Sequence, residues 1–164
     1  MQPLLVAPFF LYLFCMKQQK FTDRFASVLD LGLSLAKEAE ADAILVLLEG
    51  PTDWEQLDSH RGKTKVILAG ENSELLEGAE NFDFATVVVE IADAPVSERL
   101  TQALLEAVAD DLLVPGASVV AIYSGFEAGK MDSISFIRLH EHLRRLTVRD
   151  LRPLETKEPL ETLN

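Results

Sequence analysis

The sequence predicts an α/β fold: a three-layer α/β/α sandwich around a five-stranded mixed sheet, mostly parallel, with the last strand antiparallel. Three observations predict it. Short apolar runs rich in β-formers alternate with amphipathic stretches from Phe21 to Leu139. The first run, AILVLLEG, is continuously apolar, as in a strand covered on both faces. The last two runs are joined by a short glycine-bracketed loop with no intervening helix, so they pair antiparallel.

Each element has its own warrant. Phe21, Phe25, Val28, Leu29, Gly32 and Ala36 recur at helical spacing. They predict a helix over 22–38, with Asp23 favourable near its N-terminus. AILVLLEG (43–50) is the first strand. In PTDWEQL, Thr52 and Glu55 have the spacing of a capping box, which starts a short helix. TKVILAG (64–70) is the second strand, NSELLEGAEN (72–81) a short helix and ATVVVEI (85–91) the third strand. Pro95 opens a long helix whose Val96, Leu100, Leu104, Val108 and Leu112 share a face. PGASVVAIYSG (115–125) supplies a turn and the fourth strand, and DSISFIRL (132–139) the fifth.

The 164 residues suit one domain with a single sizeable core. Hydrophobic residues make up 48% and charged residues 26%, the balance of a globular chain. A net charge of −12 argues against DNA as a partner, because such binding rests on neutralising phosphates. Cys15 is the sole cysteine, so the chain has no internal disulfide and no Cys/His metal spacing. His140, Glu141 and His142 lack convergent partners and read as surface residues, so neither a metal nor a cofactor is expected.

Residues 1–20 are expected to be an apolar extension. MQPLLVAPFFLYLFCM carries no charge, lacks a basic n-region and is short for a span of ~20 residues. An upstream start codon or a non-native addition is the preferred reading, and a weak membrane anchor the second. Residues 21–140 form the α/β domain. Residues 141–164 read as a basic arm, with Arg144, Arg145, Arg149 and Arg152, followed by a linker to a possible downstream domain. If the arm is helical, Arg145, Arg149 and Arg152 share a face suited to an acidic surface of a second subunit. A phosphate-binding role for that face is the alternative. The expected state is a cytoplasmic homodimer without a membrane partner.

The element order resembles the C-terminal α/β domain of pyruvate kinases over residues 22–139. Two local words carry the resemblance. One is the turn at a helix N-terminus after the strand ending at Leu48. The other is Ser124, Gly125, Phe126 and Gly129, which match a Ser-Gly-aromatic-x-x-Gly loop between the last two strands. The Pro115-Gly116 turn also fits. In that family this domain is not catalytic; it binds an effector in some members and helps form the tetramer. The stretches DAILVLLEGPTDWEQL and LTVRDLRPLETKEPLETL also resemble the N-terminal region of bacterial DisA-type, diadenylate cyclase-related proteins. The cyclase's Asp-Gly-Ala and Arg-His-Arg motifs are absent, so the resemblance implies no cyclase activity here.

These resemblances imply a ligand site at two turns. Thr52 belongs to the first, and Ser124, Gly125, Phe126, Gly129 and Lys130 to the second. Each turn has a plain structural reading beside the functional one. Thr52 is either a helix cap or an anion contact. The second turn is either a tight connection or a glycine-permitted backbone approach to a phosphorylated small molecule. Asp53, Glu127 and Asp132 oppose an anion, while Lys130 supports one. Trp54 is either packing or a stacking platform for a ring. No catalytic residue emerges: YSGF lacks the Gly-x-Ser-x-Gly elbow, GENSELLEG lacks the Walker lysine, and no Gly-x-Gly-x-x-Gly turn follows the first strand. The expected function is a non-catalytic regulatory or assembly domain of a larger nucleotide-signalling protein. A phospho-ligand sensor is the alternative, and an unrecognised enzyme the second alternative.

Overall fold

The computed structural model describes residues 18–145 apart from residue 92. Helix α1 spans Asp23–Glu38 and starts as its periodicity predicts: Thr22 takes an extended conformation and its hydroxyl accepts the Phe25 N–H (3.1 Å). The remaining elements are β1 (Ala43–Leu47), α2 (Trp54–Arg61), β2 (Val66–Gly70), a 3₁₀ turn (Ala79–Phe82), β3 (Ala85–Val88), α3 (Val96–Ala109), β4 (Ser118–Tyr123) and β5 (Ser133–Arg138). Residues 139–145 are helical.

The sheet order is β3-β2-β1-β4-β5. β1 lies parallel to both β2 and β4, β2 lies parallel to β3, and β5 runs antiparallel to β4. The mixed-sheet fold class is therefore the observed one. Side-chain alternation sorts the core into two layers. Ile44, Val46, Val66, Leu68, Val120 and Ile122 meet Phe25, Leu29 and Leu57 on one side, where α1 and α2 lie. Ala43, Leu45, Ile67, Val119 and Ala121 meet Leu100, Ala103, Leu104 and Ala107 of α3 on the other. Gly32 lets α1 approach β4 closely, for a Cβ there would stand 2.7 Å from Ile122 Cδ1.

Several local expectations are corrected. The residue that caps α2 is Asp53, not Thr52: its Oδ1 accepts the Gln56 N–H (3.1 Å) and its Oδ2 the Gln56 side-chain amide (2.7 Å). Asp is among the strongest cap residues. The stretch 72–81 forms turns and the 3₁₀ segment rather than a helix, with Asn72 Oδ1 accepting the Leu75 N–H (2.8 Å) and Gly78 in a left-handed conformation (φ 93°). The first strand ends at Leu47 and the third at Val88, shorter than their apolar runs.

Candidate functional site

The chain leaves β1 toward β2 on one side of the sheet order and returns from β3 to β4 on the other. The carboxyl ends of β1 and β4 thus flank a topological switch point, where open α/β sheets form their binding crevice. The loop after β1 (48–53) and the loop between β4 and β5 (124–132) both start there. These are the two turns singled out by sequence.

One hydroxyl in each loop is orphaned. Thr52 Oγ1 and Ser124 Oγ are buried and have no hydrogen-bond partner among the described residues. Ser124 as a whole is only 8% exposed. Buried polar atoms without partners are rare and costly.

Asp132 organises the β4–β5 loop. Its Oδ1 accepts the Gly125 N–H (2.7 Å), and its Oδ2 accepts those of Phe126 (3.2 Å) and Glu127 (3.0 Å). Partial desolvation pushes the Asp132 carboxyl up, but hydrogen bonds from Gly125 N–H, the Ser133 hydroxyl, Glu127 N–H and Phe126 N–H outweigh it and hold the group at about 2. The Gly125, Phe126 and Glu127 donors are therefore filled by the loop's own carboxylate. Gly125 has no room for a side chain, since a Cβ would run into Ser133.

Gln19 ties the two loops together. It is 1% exposed, and its side chain reaches both of them. Its Nε2 donates to Gly129 O (2.7 Å), its Oε1 accepts the Glu49 N–H (3.4 Å), and its backbone N–H donates to Pro51 O (3.1 Å). Glu49 Oε2 accepts the Gly129 N–H, closing a ring of contacts across the switch point. Glu49 Oε1 also lies 3.9 Å from Arg99, which reaches in from the first turn of α3 and donates to Ala94 O (3.2 Å). Gln19 has no periodic or motif signal. Arg99 has a faint one: a cation in a helix's first turn opposes the macrodipole and asks for another partner.

The other predicted site residues are dispersed. The Trp54 indole donates to Glu77 O (3.0 Å) and its ring lies against Gly78, so it is engaged in packing. Phe126 projects from the loop at 95% exposed. Gly129 takes a left-handed conformation (φ 79°), which glycine adopts without strain. Lys130 pairs with Glu127 (3.1 Å). Arg144 and Arg145 are exposed on the helical stretch 139–145, whereas Arg149 and Arg152 lie outside the described residues. His142 Nε2 meets Thr101 Oγ1 (3.0 Å), linking that stretch to α3. Among the described residues no acidic, His or Cys group has a metal-binding arrangement, and no helix is long and apolar enough to cross a membrane.

A family model described as "Probable sensor domain DacZ_P" matches residues 24–147. The chain belongs to this family. The match runs from the first turn of α1 past the helical stretch after β5, so it takes in both loops of the switch point. Among solved structures, Cryptosporidium parvum pyruvate kinase in complex with ADP is similar in fold, with a TM-score of 0.58 and 15% identity. That likeness covers 72% of this chain and 24% of the enzyme, so the chain spans only about a quarter of that protein's length. At this identity the likeness speaks for the fold alone. No curated protein matches the chain in sequence.

Proposed function

We propose that the chain is a non-catalytic sensor domain of a larger cytoplasmic nucleotide-signalling protein. In this reading it binds a phosphorylated small molecule at the switch point and passes its occupancy to a diadenylate cyclase-like partner domain. The observation that carries the reading is that Thr52 Oγ1, in the loop after β1, and Ser124 Oγ, directly after β4, are both buried without a partner in a family of probable sensor domains. A folded chain tolerates such groups where a ligand completes their hydrogen bonds. Homodimerisation through the exposed Arg144 and Arg145 belongs to the same proposal.

Ser124→Ala tests it. Removing an unsatisfied buried hydroxyl relieves a desolvation cost of about 1 kcal/mol, so the free variant melts at the same or a higher temperature. Its thermal shift with sugar phosphates, ATP, ADP and AMP then falls below that of the native chain. A destabilised free variant, or an unchanged response to the compound that stabilises the native chain, contradicts the reading.

A further inference from the structure

A cavity of about 360 Å³ lies beside the switch point, between the segment preceding α1 and the far side of the β4–β5 loop. Its lining includes Lys20 and Arg24 from one wall and Gly129 and Lys130 from the other. Three cations converge there on a chain whose net charge is −12. Lys20 and Arg24 have no ion-pair partner among the described residues. Lys130 has only an exposed pair with Glu127, of the kind that contributes little and exchanges readily. Glu127 offsets part of this charge through its pair with Lys130, but the lining itself holds three cations and no carboxylate, and a concave wall of one sign concentrates field lines.

We propose that this cavity holds the anionic group of a small phosphate-bearing ligand, and that Gln19 carries its occupancy to both switch-point loops. The Arg24 guanidinium offers the planar fork that suits phosphate oxygens, while Lys20 and Lys130 supply point charges from opposite walls. A volume near the lower end of ligand pockets suits a ligand of sugar-phosphate size rather than a dinucleotide. The transmission is local. Gln19 lines the cavity, yet its side chain contacts Gly129 and Glu49 inside the fold. An anion between Lys20 and Lys130 draws the N-terminal segment and the β4–β5 loop together and loads the Gln19 contacts. The Asp132 carboxylate already takes the Gly125, Phe126 and Glu127 N–H groups, so the anion is met by the Lys20, Arg24 and Lys130 side chains instead.

The inference rests on the sensor reading but fails separately from it. The full chain is titrated with inorganic pyrophosphate, and separately with citrate, and followed by heteronuclear NMR. Pyrophosphate is expected to give saturable shifts at the Gly129 and Lys130 amides and at the Gln19 side-chain amide. The double variant Lys20→Glu/Arg24→Glu is expected to bind about tenfold more weakly or worse, with its remaining spectrum native. If that variant fails to fold, Lys20→Gln/Lys130→Gln is expected to show the same loss. Shifts scattered over the surface, no saturation, or equal binding by the charge variants overturn the site. Equal binding of citrate overturns the phosphate assignment. A phosphorylated compound that stabilises native chain and charge variant alike leaves the sensor reading standing and removes this one.

Discussion

The Asp132 carboxylate takes up the backbone N–H groups of Gly125, Phe126 and Glu127, the donors a glycine loop would otherwise offer an external anion. Its value as a cap is testable. Asp132→Ala frees those donors toward solvent and is expected to destabilise the chain by about 1 kcal/mol near neutral pH, a figure already discounted for exposure. Because the folded carboxyl is depressed from 3.8 to about 2, its contribution is complete above 3.8 and is lost as pH falls through 2. Urea unfolding of the variant should thus show a flatter acid limb than the native chain in that window; parallel limbs would contradict the role. At this scale Thr52 and Ser124 draw notice in the sequence only through the pyruvate kinase resemblance, and their lack of hydrogen-bond partners shows only in three dimensions. In the sequence Asp132 stands out as a charge that opposes anions, not as the loop's own anion, since sequence shows charge but not direction. Gln19 was invisible: its partners Glu49 and Gly129 lie 30 and 110 residues away, beyond any local pattern.

The elements divide by how strongly their own sequence specifies them. α1 carries a cap, an apolar stripe and the Gly32 gap that lets it settle on β4, and its limits follow the periodicity closely. β1, β2 and β4 are each apolar enough to be placed by burial alone. The stretch 72–81 has the right residues for a helix, but Asn72 and Gly78 commit it to turns. The helical stretch 139–145 extends the fold beyond β5, packing Leu139 and Leu143 against the α3 layer while Arg144 and Arg145 stay exposed. Joint charge reversal, Arg144→Glu/Arg145→Glu, leaves that packing intact, so stability should hold while dimerisation weakens about tenfold or more. Light scattering across a concentration series checks this; a native chain that stays monomeric, or a variant that dimerises equally well, contradicts the interface.

At the scale of the whole molecule, the parallel order β3-β2-β1-β4 creates the switch point and the antiparallel β5 supplies the loop that closes over it. The order of elements conveyed the mixed sheet and its antiparallel last strand from sequence, whereas the strand order and its switch point appear only in the structure. The crossing contacts that join the two loops emerge only in three dimensions: Gln19 to both loops, Glu49 to Gly129, and Arg99 to Glu49. A ligand bound at that junction should tighten both loops at once, because they share these partners. Amide hydrogen exchange, with and without the phosphorylated compound that most raises the melting temperature, tests this directly. The expected result is protection gained together in residues 48–53 and 124–132. Protection confined to another face of the sheet, or to one loop alone, would contradict the account.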